Sequence, residues 1–147
     1  MILIQFVAAF IGVIAFSVNL EIPKKYIIIT GLVGAIGWIV YLICIKLDIS
    51  NILAYFISAL TIAILSIILS KLLKAISTIF LIPGILPIVP GIAMYELIYY
   101  ILNNDWHQAK YYLVQVILIT GGIALAVFVA DSIKEIKIMR KESKSEN

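Results

Sequence analysis

Apolar runs close to 20 residues long recur five times in this 147-residue chain, with short polar breaks between them. A helix rises 1.5 Å per residue, so about 20 residues cross the roughly 30 Å hydrocarbon core of a bilayer. The runs are Ile2–Leu20, Tyr26–Leu47, Asn51–Leu73, Ile79–Leu102 and Leu113–Ala130. With 64% hydrophobic and 13% charged residues, a water-soluble domain of this size has too little interior to hide such a surface. The expected fold is all-α: a polytopic helical bundle of about five transmembrane segments in a lipid bilayer. Short connections suit a compact bundle. Residues 1–131 are expected to form it. Residues 132–147 turn abruptly polar and basic, and read as a cytoplasmic tail, a helix extension that frays toward its end. Residues 1–20 lack a basic start and a small-x-small cleavage site, so they read as a retained helix rather than a signal peptide.

Lysine and arginine set the expected orientation. With alternating spans and the N-terminus outside, Lys24, Lys25, Lys71, Lys74, Lys134, Lys137, Arg140, Lys141 and Lys144 lie inside. Only Lys46 and Lys110 of the 11 basic residues fall outside, and the opposite orientation would reverse the bias. The net charge of +3 therefore reads as topology rather than affinity for nucleic acid.

Several chemistries find no foothold. The lone cysteine, Cys44, lies in an apolar run, which leaves no internal disulfide and no thiolate metal site. Asp105 and His107 share a polar loop, too thin a pair for a metal. No nucleophile–base set or phosphate loop is present. The reading is no enzyme, no cofactor and no metal.

Helices in lipid associate through close packing of small residues. The first run offers Gln5, Ala8, Gly12, Ala15 and Asn19 on one face, and the third offers Ala59, Ala63, Ser66 and Ser70. The second contributes Gly31, Gly34, Ala35 and Gly37, where another backbone could approach closely. Gly121 and Gly122 loosen the fifth near mid-membrane. Plain packing explains each stripe. The functional alternative is that Gln5, Asn19, Ser66 or Thr120 faces a wet path. Some of the faces on the first and third runs are expected to meet another chain.

The fourth run is the anomaly. "FLIPGILPIVPGIAMYELIYY", residues 80–100, holds three prolines and two Pro-Gly pairs. Proline in a helix interior costs roughly 3 kcal/mol, and it pushes the preceding residue out of helical geometry. With Gly84 and Gly91 supplying turn angles, the chain is expected to unwind across 83–90 and restart as a helix at Pro90–Gly91. The restarted helix begins inside the membrane with its first amides unpaired and the positive end of its dipole exposed. Lipid cannot satisfy those amides, but a watery cavity or a bound carboxylate can. Secondary transporters use discontinuous helices in this way. The alternative is a kinked or re-entrant segment that only packs. Glu96, at membrane depth, is either a proton-coupling or substrate-facing group, or a carboxylate reaching external water or a partner.

The stretches "FSVNLEIPKKYIIITGLVGAIGWIVY" (16–41) and "IFLIPGILPIVPGIAMYELIYYIL" (79–102) carry a resemblance. In order and spacing, from about residue 5 to 131, the chain resembles the small membrane subunit of the threonine/serine exporter family. It is equally similar to the C-terminal membrane half of single-chain members. The most specific part is Pro-Gly-x-x-Pro-x-x-Pro-Gly at 83–91, followed by Met94–Tyr95. The resemblance implies one subunit of a two-component secondary transporter in the bacterial cytoplasmic membrane, working with a larger membrane subunit. Its cargo would be small carboxylate metabolites, threonine and serine or succinate, exported by proton-coupled antiport. Pro83, Gly84, Pro87, Pro90, Gly91 and Tyr95 are the substrate-binding candidates it marks, with Glu96 as the proton-coupling candidate. Glu96 would favour an amino acid over a dicarboxylate unless protonated. The remaining alternative is an accessory subunit that stabilises its partner without touching substrate.

Overall fold

The computed structural model describes residues 2–143, with side chains through Glu135. Its elements are α1 (Ile2–Asn19), α2 (Lys24–Lys46), α3 (Asn51–Leu72), α4 (Thr78–Ile85), a 3-10 turn (Leu86–Ile88), α5 (Gly91–Leu102) and α6 (Trp106–Ser143). Among the described residues, four helices are long and apolar enough to cross a membrane, and α4 with α5 counts as a fifth where the bent pair is one span. The all-helical membrane bundle expected from the sequence is the fold observed. The last span starts at Trp106 rather than Leu113 and runs unbroken through Gly121–Gly122 to Ser143. The frayed end expected beyond it, with Lys144, lies outside the described residues.

Four connections reverse the chain by the same device. Each places a non-glycine residue at positive φ just past a helix end: Glu21, Asp48, Lys74 and Asn104. The following amide reaches back five residues to the helix, as in Ile49 N–H to the Cys44 carbonyl at 3.1 Å and Ala75 N–H to the Ser70 carbonyl at 3.0 Å. No glycine has positive φ. Gly31, Gly34, Gly37 and Gly84 serve packing instead, and Gly91 supplies no unusual turn angle either. A Cβ on Gly34 would sit 2.6 Å from Val13 Cγ2 of α1 and 3.3 Å from the Gly84 carbonyl oxygen of α4, and one on Gly37 would collide with Ile62 of α3. Helix α2 is thus the hub, with α1, α3 and α4 all pressed on its small-residue side.

The two small-residue stripes meet different fates. Ala59, Ala63, Ser66 and Ser70 of α3 are buried inside the chain. In α1 it is Val13 and Ser17 that are buried, and Ala8, Gly12, Ala15 and Asn19 face outward. The expectation that the α3 face meets another chain is therefore corrected. Helices α2, α4 and α6 already occupy it. Most buried hydroxyls bond back to their own helix, as Ser66 does to the Ile62 carbonyl at 2.8 Å. Ser58 instead crosses to the Gly37 carbonyl on α2, at 2.7 Å.

The basic residues sort by end. Tyr26 at the start of α2 reaches the Leu73 carbonyl after α3, at 3.5 Å, and Lys71 and Lys134 line one groove. Lys24, Lys25, Lys71, Lys74 and Lys134 therefore share one end of the bundle, and Lys46 and Lys110 the other. The broken segment begins at the first end, where Phe80 packs edge-on against Tyr26 at 5.5 Å. It finishes at the second, where Tyr100 stacks on Tyr112 at 5.5 Å. It traverses the bundle.

Candidate functional site

Proline breaks this segment later than its sequence suggests. Helix α4 carries Pro83 and Gly84 in its interior and stays α-helical to Ile85, and Leu86 before Pro87 is still helical at φ −49°, ψ −45°. Only Val89, at φ −61° and ψ 134°, and Pro90, at ψ 55°, leave helical geometry. The expected unwinding across 83–90 thus contracts to a 3-10 turn and two residues. Packing explains the override. Pro83 and Gly84 are buried against α2 and α3, and a Cβ on Gly84 would lie 3.1 Å from both Ile62 Cγ2 and Val33 Cγ1. Close helix contact there compensates for the lost amide donor. Gly84 is needed for proximity, not for a turn angle.

The restart falls where it was expected. Pro90 caps α5, and the axis bends by 52° across the break. The Gly91 amide folds back to the Val89 carbonyl at 2.7 Å, and the first helical bond runs from the Met94 amide to the Pro90 carbonyl at 3.0 Å. The amides of Ile92 and Ala93 lie between them without a backbone acceptor, and no side chain caps the helix. These are two of the orphan donors that any helix start leaves.

A half-open cleft of about 290 Å³ lies against this restart. Pro90, Ile92 and Ala93 form one wall, Asn51 and Tyr55 of α3 a second, and Tyr111, Tyr112 and Gln115 of α6 a third. Tyr41 donates to Asn51 Oδ1 at 3.0 Å, which leaves the Asn51 amide protons for other partners. The lining is neutral, aromatic and rich in hydrogen-bond donors. Sequence reasoning missed Asn51 and Gln115. Asn51 reads as a span boundary, whereas Gln115, an amide within "YYLVQVILI", is the kind of polar residue at membrane depth that flags a site.

The structure brings together only part of the expected set. Pro90 lines the cleft, and Gly91 sits exposed beside it with nothing within 4 Å of where a Cβ would be. Pro83 and Gly84 are sealed in the core. Pro87 borders a different hollow, about 360 Å³, with Gln5, Ala8, Ala9 and Trp38. There Gln5 Oε1 is buried without a hydrogen-bond partner. Tyr95 points outward, 66% exposed, and stacks on Tyr99 at 6.4 Å. Glu96 is half-buried on the stripe of α5 that runs from Ala93 to Tyr100, the side packed on α6. Of the polar residues considered for a wet path, Ser66 is buried and Asn19 and Thr120 are exposed.

No curated protein and no solved structure matches this chain. The family described as Threonine/Serine exporter, ThrE, matches residues 5–133. That span takes in most of the helical bundle, the break and its cleft included, and the chain therefore belongs to the threonine/serine exporter family of membrane transporters.

Proposed function

We propose that this chain is one subunit of a two-component secondary transporter that exports small carboxylate-bearing metabolites, threonine and serine first among them, with succinate as the dicarboxylate alternative. The observation that carries the reading is the restart of α5. Two unpaired amides and the positive end of a helix dipole stand at a neutral, donor-rich cleft, an arrangement suited to a carboxylate. Asn51 and Gln115 add side-chain donors, and Glu96, one turn along α5, would carry the coupling proton. Its anionic form disfavours a second carboxylate on the cargo. The larger membrane subunit would cover α5, which has no buried residue, and the outward stripe of α1. In this reading the chain sits in the bacterial cytoplasmic membrane with its N-terminus outside and its C-terminus in the cytoplasm, the orientation that the lysine bias favours.

The test is threonine efflux from cells of the native host carrying Gly91→Val. Each charge-assisted contact to a carboxylate is worth roughly 1.5–3 kcal/mol, so losing one or two weakens binding on the order of tenfold to several hundredfold. Efflux should fall by that order while the protein level in the membrane is unchanged. Pro90→Ala should do less, because a helix can start without proline. Normal efflux from Gly91→Val would remove the cleft from the transport path. It would favour the accessory-subunit reading, for which the dry burial of Pro83–Gly84 is the supporting observation.

A further inference from the structure

At the opposite end of the bundle from the cleft, α3 and α6 leave a groove of about 220 Å³. Its floor is Ile64, Ile67, Ile68, Ala130 and Ile133, and two lysines, Lys71 and Lys134, stand at its rim. The two halves have different chemistry. The floor is branched aliphatic surface facing hydrocarbon, where a hydrophobic driving force to recruit another helix is absent. The rim puts two cations at the level where Lys71 closes the last turn of α3 and the membrane-spanning part of α6 is ending.

Two lysines from different helices above one aliphatic trough match an amphiphile whose negative charge sits directly above its chains. We infer that this groove binds an anionic phospholipid, with the phosphate between the Lys71 and Lys134 ammonium groups and an acyl chain along Ile64, Ile68 and Ile133. Charge complementarity selects this occupant over a second helix, which would have to bring its own anion to the rim. A free phosphate would use the lysines and leave the trough empty. A basic pocket between transmembrane helices at a membrane surface is a known recipe for headgroup recognition. The carboxylates nearest in sequence, Asp131 and Glu135, are exposed and do not line the groove, so they leave the lysine pair available.

The experiment uses the full chain purified in neutral detergent, with any subunit that accompanies it, and counts bound lipid by native mass spectrometry. Dioleoyl phosphatidylglycerol should bind and dioleoyl phosphatidylcholine should not. Each near-surface lysine contributes about 1 kcal/mol toward an anionic headgroup, so Lys71→Gln or Lys134→Gln should weaken phosphatidylglycerol binding on the order of fivefold. The double substitution should weaken it about thirtyfold by the same arithmetic. Lys24→Gln with Lys25→Gln removes two exposed charges at the same end but outside the groove, and should change binding little. Equal loss in that control would reduce the effect to the general charge of the membrane surface and overturn the site. Binding of phosphatidylcholine as tight as phosphatidylglycerol would also overturn it. Glycerol 3-phosphate competing as well as the lipid does would mark a phosphate site and sink the lipid assignment. Because both lysines sit at the groove rim, thermal unfolding without lipid should be unchanged in each single variant, and those variants decide the matter even if the double one fails to fold.

Discussion

Pro83–Gly84 and Pro90–Gly91 are the same dipeptide seven residues apart, and the bundle treats them as opposites. The first pair lies inside a helix, buried against α2 and α3, with no room for even one methyl group to be added without a neighbour shifting. The second ends the helical path, starts another, and leaves its glycine in open space. Helix α4 packs on α1, α2 and α3, whereas among the described residues α5 packs on α6 alone. A Pro-Gly pair therefore does not by itself break a membrane helix. It breaks one where neighbouring helices do not hold the backbone on both sides of the proline.

Substitutions at the two glycines should separate these roles most sharply. Gly84→Val forces side-chain atoms into a contact already at 3.1 Å from Ile62 and Val33, and overpacking of this kind costs about 1–3 kcal/mol or more. Thermal unfolding in detergent should show a large loss of stability and a reduced yield in the membrane. Gly91→Val should leave the same unfolding curve unmoved, although efflux falls. Equal destabilisation by both would erase the contrast, because Gly91 would then be packed as tightly as Gly84.

Polar groups on the α5 side give the next effect. Gln115→Leu keeps the size and apolar fit of α6 and removes one neutral hydrogen-bonding group from the cleft. A lost hydrogen bond of about 0.5–1.5 kcal/mol predicts a rise in the half-saturating threonine concentration of roughly twofold to tenfold, with maximal efflux preserved. Glu96→Gln should flatten the pH dependence of efflux while the protein inserts normally. Efflux from the variant that still follows pH as wild type does would make Glu96 a solvated or structural group. The smallest effect belongs to the core side. Ser58→Ala deletes the hydrogen bond to Gly37, and interhelical bonds of this type average about 0.6 kcal/mol, so unfolding should shift by only a few degrees.

Much of the molecule was legible before any contact was known. Runs near 20 residues gave the spans, and the lysine positions anticipated which loops share an end of the bundle. The restart at Pro90–Gly91 followed from proline's fixed φ and missing donor. The site was less legible. Asn51 and Gln115 lie 64 positions apart in the numbering, and only the packing of α3 on α6 puts them on one cleft. Tyr95 shares the motif region with Pro90, yet helical geometry turns it to the outer face of α5.

By itself the sequence determined that this chain lives in a membrane, how many times it can cross, and where a helix must begin afresh. Those are local facts, set by the length of apolar runs and by the backbone chemistry of proline. The tertiary structure decided which of two equivalent stripes is buried, which of two identical Pro-Gly pairs stays helical, and which polar residues meet. In lipid, apolar faces look alike to the solvent, so burial follows from close fit between particular helices, such as Gly34 against Val13 and Gly84. That fit is a property of pairs of helices, and no single stretch of sequence contains it.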